Sequence, residues 1–350
     1  MIERYLNPEI NSIWDDQNKF DTWKLVQEKY VETLEELDVA ENGIAKKINQ
    51  SVVQKNEVYK QEEITNHDLA SFVDILQKKV GEGSNWIHYG LTSSDIVDTA
   101  NSVLIMQSLD YVMDLVNDFL STLQEKAVQE KDTLIIGRTH GVYAEETFLG
   151  NIFGNWHLEV ARGLNRLENS KNNISFGKLS GPVGNHSVVT SEMEKLTLEK
   201  LNLKPEQFAN QIVSRDRYAE VVSSLGILAS TYERIATNIR SYQRSEISEM
   251  YESFKDGQKG SSAMPHKKNP IGSERITGLA RIMRSYVSTS LENMVLWNER
   301  DISNSSVERI MLPDAFHLIS FMSIELNSIL KHLVINYEQI NRNLEDAKTK

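Results

Sequence analysis

No proline interrupts the chain between Pro8 and Pro182, and six prolines in 350 residues falls well below the roughly 5% of average usage. A proline inside a helix removes a hydrogen bond and clashes with the preceding turn, so its absence permits long helices. The apolar residues use that permission. Leu109, Val112, Met113, Val116, Leu120, Leu123 and Ala127 recur at spacings of three and four, forming one amphipathic stripe. Val222, Leu225, Ala229, Tyr232, Ala236, Ile239 and Tyr242 repeat close to every seven residues. From Arg215 to Phe254 there is no proline and a single glycine, Gly226, so the pattern predicts one helix of about 60 Å. A third stripe runs from Ile276 to Leu291 and a fourth from Phe316 to Ile340. Alternating Val/Ile-rich stretches are scarce, with Leu134-Ile135-Ile136-Gly137 the best candidate for an extended piece. The expectation is an all-α chain built as a bundle of long helices. Core packing is the plainest reading of each stripe, and their width leaves room for burial between subunits.

Charge and cysteine content narrow the class. Lys and Arg number 38 against 50 Asp and Glu, a net charge of −12. That argues against a surface built for nucleic-acid phosphates, without forbidding a small basic pocket. There is no cysteine, hence no disulfide, thiolate metal site or cysteine nucleophile. The first residues lack a basic stretch followed by an apolar one, and no stretch approaches the length of a membrane span. The triplets at Asn49 and Asn185 fit a glycosylation pattern by chance in such a chain. A cytoplasmic protein without membrane or nucleic-acid partners is expected.

Four segments depart from the helical pattern and concentrate polar chemistry: 66–68, 88–95, 137–146 and 255–274. Long loops in compact chains are uncommon and tend to carry function. The last segment gathers Gly257, Gly260, Ser261, Ser262, Gly272 and Ser273 with Lys267, Lys268 and Asn269. Converging backbone N–H groups and lysines suit an anion, although no P-loop spacing is present and an ordinary interhelical loop stays open on composition alone.

Gly260-Ser-Ser-Ala-Met-Pro-His-Lys-Lys-Asn-Pro-Ile-Gly-Ser-Glu274 matches the signature loop of the fumarase/aspartase superfamily, and its Met-Pro-His-Lys-Lys-Asn-Pro core resembles the adenylosuccinate lyase family in particular. The same resemblance extends to Ile2-Glu3-Arg4-Tyr5, His67-Asp68, residues 86–95, Gly137-Arg-Thr-His-Gly141, Ser214-Arg-Asp-Arg217 and residues 297–309. It covers nearly the whole chain, in order. It implies a small N-terminal helical domain (1–92), a central long-helix bundle (93–342) carrying the signature loop (255–274), and a polar tail (343–350). Four such bundles would pack into a homotetrameric twenty-helix core, with active sites shared between subunits. The family's C-terminal domain is not expected in this chain.

The implied activity is cofactor- and metal-free β-elimination that releases fumarate, from adenylosuccinate to give AMP and from a succinylated aminoimidazole carboxamide ribotide. Removing a proton next to a carboxylate builds negative charge that needs electrostatic stabilisation, and the leaving nitrogen needs a proton. By resemblance Ser261 is the general base and His140 the general acid, a residue that titrates near neutrality. His67 is the second active-site histidine, beside Asp68. Lys267 and Asn269 would bind the succinyl carboxylates, with Thr92, Ser93 and Ser262 nearby. Glu274 would orient the loop or a histidine. Arg4, Tyr5, Arg300, Ser305 and Arg309 match positions that hold the nucleotide and its phosphate, and Gln211 a substrate-binding glutamine. His88 stays open between packing and function. His157, His186 and His317 carry no assigned role.

The sequence departs from the family at several points. Asn66 stands where an arginine is usual, Asn185 for threonine, Tyr143 and Glu146 for histidine and proline, and Asn304 for histidine. Asn66 and Asn185 leave open a superfamily lyase for another succinyl or aspartyl adduct, and the expected absence of the family's C-terminal domain leaves open a nucleotide-binding helical paralogue without turnover.

Overall fold

The computed structural model describes residues 1–254, 257, 263, 264 and 266–349. The N-terminal part carries α1 (Pro8–Trp14), α2 (Asp16–Glu36), α3 (Ile44–Gln50), α4 (Lys55–Thr65) and α5 (Asp68–Val80). Then come α6 (Ser93–Gln129), strands β1 (Leu134–Thr139) and β2 (Val142–Phe148), α7 (Leu149–Ile174), β3 (Phe176–Gly177), α8 (Ser191–Glu199) and β4 (Lys204–Pro205). The chain continues with α9 (Arg215–Tyr242), β5 (Met250–Tyr251), α10 (Ile271–Glu292), α11 (Ser303–Lys331), β6 (Val334–Ile335) and α12 (Tyr337–Lys348). The all-α expectation holds, since the strands form only two-stranded pairs.

Five long helices, α6, α7, α9, α10 and α11, form the bundle. Helix α9 packs against α7, α10 and α11, while α6 packs against α7 and α11. With three neighbours, α9 must be apolar around most of its circumference. Val221, Val222, Leu225, Leu228, Ala229, Tyr232, Ile235, Ala236 and Ile239 are all inaccessible to solvent. A second core joins Phe20, Trp23, Tyr30, Leu34, Phe72 and Leu76 of α2 and α5 to Ile96 and Ala100 of α6 and Leu179, Val189 and Leu198 around α8.

Two periodicity readings needed correction. Helix α9 ends at Tyr242, well before Phe254. The following Gln243-Arg-Ser-Glu246 is polar, and the chain turns so that Met250 and Tyr251 pair with Val334 and Ile335. The fourth stripe is two helices split by β6, and α11 starts earlier than the stripe, with Pro313 inside it. The polar C-terminal segment is helical through Lys348, with Asn343 and Leu344 buried. The extended piece at Leu134 is present as β1, paired with β2.

The bundle has two ends. Helix α6 runs from the lower end, where it starts beside the N-terminal helices, to the upper end, where the β1–β2 hairpin returns the chain into α7. There Gly150 N–H donates to the Glu130 carbonyl (2.9 Å). A Cβ on Gly150 would meet the Ala127 carbonyl oxygen at 2.6 Å and the Lys131 Cα at 2.7 Å, both backbone atoms. One turn on, a Cβ on Gly154 would meet nothing within 4 Å. Gly150→Ala should therefore cost about 1–3 kcal/mol by overpacking, while Gly154→Ala should gain roughly 0.4–1 kcal/mol by stiffening the unfolded chain. Urea unfolding of the pair checks this, and equal effects would refute the close approach of α6 and α7.

Candidate active site

The lower end is built on two helix starts. Thr92 caps α6, with its backbone N–H bonded to Asp95 (2.8 Å) in a capping box. The same carboxylate accepts the Gly181 N–H at 3.2 Å and pairs with Lys178. Lys178 is fully buried and also donates to the Gly181 carbonyl at 2.7 Å. One buried ion pair thus fixes both the Thr92–Ser93 corner and the loop that follows β3. His67 caps α5, its Nδ1 accepting the Ala70 N–H (3.3 Å). That leaves Nε2 to carry the proton towards Ser93 Oγ, 3.4 Å away. Asp68 pairs with Arg309 at 2.5 Å. Burial pushes the Asp68 carboxyl up, but the Arg309 guanidinium outweighs it and holds the group below its usual range. Asn66, in the arginine position of the family, ends α4 in the left-handed conformation (φ 52°), which asparagine tolerates well.

His88, left open by its sequence context, is built into this end. Its backbone is left-handed (φ 64°). Its N–H donates to Gln27 Oε1, and Gln27 Nε2 meets its ring Nδ1, both at 3.0 Å. Burial, assisted by repulsion from His67, pushes its pKa down to about 4. The sequence signal for it was the His-Tyr-Gly corner ahead of a helix start.

Beside this corner lies an arginine network. Arg215, the first residue of α9, forms paired bonds to Asp98 (2.5 and 3.0 Å) and to Glu308 (2.7 and 3.0 Å). Asn304 Nδ2 donates to Glu308 (3.0 Å), and its Oδ1 accepts from Arg300 Nε (3.4 Å). Arg300 further reaches Ser94 Oγ and Gln211 Oε1, each at 3.3 Å. Burial pushes the Arg300 pKa down and the Glu308 pKa up. Asp68, Ser305, Glu308 and Arg309 line an adjoining cleft of about 340 Å³, walled by Trp14, Phe20 and Trp23. The structure therefore brings together His67, Asp68, Thr92, Ser93, Gln211, Arg300, Ser305 and Arg309.

The upper end holds the other candidates. His140 and Gly141 form the tip of the β1–β2 hairpin, both with positive φ (55° and 80°), and Thr139 pairs with Val142 across them. This is the two-residue turn that suits a twisted hairpin. Arg138 forms a two-pronged bond to buried Glu249 (2.7 and 2.9 Å). Lys267, Asn269 and Glu274 line a cleft of about 610 Å³ with Arg240, Arg244 and Lys268. Ser261 and Ser262 lie outside the described residues. Arg4 and Tyr5 belong to neither end: the Tyr5 ring packs edge-on against Phe321 in the middle of α11, centroids 5.0 Å apart.

Helix α9 runs from Arg215 at the lower end to Tyr242 at the upper, and its 28 residues span about 42 Å at 1.5 Å per residue. Within one chain, His140 and Lys267 therefore lie far from His67 and Arg300.

A family model described as "Lyase" matches residues 17–284. The chain is 43% identical over 349 residues to the adenylosuccinate lyase of Thermotoga maritima, covering 99% of this chain and 81% of that protein. With the adenylosuccinate lyase of Bacillus subtilis it shares 42% identity over 346 residues, covering 99% and 80%. Among solved structures, a fumarate lyase from Mesorhizobium sp. BNC1 superposes with a TM-score of 0.89 at 20% identity, covering 99% of this chain and 80% of that one. The 3-carboxy-cis,cis-muconate lactonizing enzyme of Pseudomonas putida gives 0.88 at 22%, covering 97% and 78%. These two likenesses concern the fold.

His88 makes the fold acid-sensitive. Its pKa in the folded chain, about 4, lies below the reference value of 6.5. As pH falls through 6.5 the unfolded chain takes up a proton that the folded chain refuses, so stability drops until about pH 4 and levels below it. His88→Asn keeps a residue suited to positive φ and should flatten part of that drop. Urea unfolding of wild type and variant at neutral pH and at about pH 5 checks it, and parallel losses in both would count against the assignment.

Proposed function

Because the chain belongs to the lyase family that holds the adenylosuccinate lyases, we propose that it cleaves adenylosuccinate to AMP and fumarate, and acts likewise on the succinylated aminoimidazole carboxamide ribotide. The observation that carries this reading is the identity of 42–44% across nearly the whole chain to three such enzymes. The retained signature residues support it.

In this reading Ser261 takes the proton from the carbon next to a succinyl carboxylate. The electrons of that C–H bond form the carbon–carbon double bond, the C–N bond breaks with its pair on nitrogen, and His140 protonates the nitrogen. A serine is a weak base unless cations and N–H donors lower its pKa. Lys267, two residues from Asn269 in the same loop, would supply charge and bind the carboxylates. Glu274 would orient the loop. His67, set by Ala70 and Ser93, would present its Nε2–H to substrate. Thr92, Ser93 and Ser262 would complete the dicarboxylate end. Arg300, Ser305 and Arg309 would receive the phosphate, with Gln211 on the nucleotide; Arg4 and Tyr5, assigned to the nucleotide by resemblance, lie outside this corner of their own chain. Arg309 would have to exchange Asp68 for the phosphate.

The separation of the two ends supports a shared site. One chain cannot bring His140 to His67 across a helix of about 42 Å, whereas a second copy packed in the opposite direction along the bundle can. We read the assembly as a homotetramer of the central bundles, with the domain divisions at 92/93 and 342/343 proposed on the same resemblance. The cytoplasm is the proposed setting, and among the described residues no helix is long and apolar enough to cross a membrane.

The purified chain should release fumarate from adenylosuccinate, followed by absorbance. Ser261→Ala and His140→Gln should each lose about 100-fold or more in kcat. Mixing inactive His140→Gln with inactive His67→Gln should restore a fraction of the activity, because mixed assemblies hold some sites with both histidines intact. Nucleotide binding without fumarate release would overturn the catalytic reading. Loss in each mutant with no restoration on mixing would overturn the shared site alone.

A further inference from the structure

Helix α10 begins without a cap of its own. Pro270 occupies the N-cap and its side chain accepts no bond, so the first N–H groups of the helix need a partner from elsewhere. Glu252, which precedes the signature loop, supplies it. Its two carboxylate oxygens accept the Gly272 N–H (3.2 Å) and the Ser273 N–H (2.7 Å). Glu252 is itself 9% exposed. Gly272 makes the approach possible, since a Cβ there would lie 3.2 Å from Glu252 Oε2 and 2.8 Å from Ile329 Cδ1. Gln243, one residue past the end of α9, joins the same knot. Its Oε1 accepts the Glu252 N–H and its Nε2 donates to the Lys268 carbonyl, both at 3.0 Å.

Three chain segments thus meet at two side chains: the end of α9, the strand leaving β5, and the 267–273 segment. We propose that Glu252 and Gln243 are positioning residues that set the backbone of Lys267, Lys268 and Asn269, and the start of the helix that carries Glu274, for the dicarboxylate half of the substrate. Neither side chain needs to touch substrate. Gln243 fixes the peptide between Lys268 and Asn269 through the Lys268 carbonyl. Glu252 fixes the helix start from which Glu274 projects into the same cleft. A charged acceptor on helix N–H groups forms a stronger bond than a neutral amide, so the clasp depends on the carboxylate itself. The inference rests on the reading that Lys267 and Asn269 hold the succinyl carboxylates.

Product inhibition separates the two halves of the site. Fumarate would occupy only the dicarboxylate half, to which the Lys267–Glu274 segment contributes, and AMP only the nucleotide half. In the 350-residue chain, Glu252→Gln and Gln243→Leu should each raise the inhibition constant of fumarate about fivefold to tenfold, and lower kcat, while that of AMP stays within about twofold. Glu252→Asp should recover part of the loss. A structural role alone would lower the melting temperature and weaken both products equally, or neither, and either result overturns the proposal. Lys267→Met serves as the control for the underlying reading. If it leaves fumarate inhibition unchanged, the dicarboxylate assignment is wrong. If it weakens fumarate while Glu252→Gln and Gln243→Leu do not, the assignment stands and the clasp falls.

Discussion

The lower end of the bundle depends on one guanidinium. Arg215 opens α9 and is held on one side by Asp98 of α6 and on the other by Glu308 of α11. All three side chains are buried. A buried charge without partners is strongly unfavourable, and a buried pair repays its desolvation only when geometry and further hydrogen bonds are good. Both conditions are met here. Asp98 also accepts the Val213 N–H at 2.9 Å, and Glu308 also accepts from Asn304. Two carboxylates face one arginine, so the second negative charge looks outward to Arg300, which reaches the cluster through Asn304. The charge balance of the core is thereby completed by a residue of the candidate site.

That arrangement makes positions along three helices interdependent. Ser94, which Arg300 reaches, lies one turn before Asp98, and Ser305 and Arg309 sit on α11 either side of Glu308, so two of the three residues proposed to hold a phosphate ride on a helix whose register with α6 and α9 the Arg215 cluster fixes. Lys178 does the same for the neighbouring corner, tying the loop after β3 to the start of α6 through Asp95. Rigid scaffolds of this kind are what precise sites require. Two of the departures in the sequence fit this scaffold. Asn304 supplies one donor to Glu308 and one acceptor to Arg300, a pairing that an amide makes without any choice of tautomer. Asn66 fits the left-handed end of α4. Two of the substitutions that set this chain apart from its family pattern thus have local structural roles.

Helices α6, α9, α10 and α11, the hairpin start at Leu134 and the signature segment were legible because each has a short-range signal: period, β-branched run, or a fixed string of residues. Helix ends were less so. Tyr242 ends α9 because the chain must return to pair with β6, a contact over more than eighty positions that no local pattern carries. The candidate residues were found as motifs, but their grouping was not. Nothing in the spacing of His67, His140 and Lys267 says that one lies at the opposite end from the other two. The supporting residues were the least visible of all. Lys178, Gln27, Gln243 and Glu252 look like ordinary polar residues of solvated faces, and only tertiary contact turns them into caps and clasps.

The length of the bundle helices then becomes a functional constraint. Helices of 28 or 29 residues, as in α9 and α11, keep His140 and Lys267 away from the His67–Arg300 corner of the same chain, because a packed helix cannot shorten. No loop motion within one chain closes a gap of about 42 Å. Elimination needs its acid, its base and its anion-binding groups within hydrogen-bond reach of one substrate. Under the proposed function, a chain with the two halves of such a site at opposite ends of a rigid rod would reach catalytic geometry by meeting copies of itself, and activity would then follow assembly.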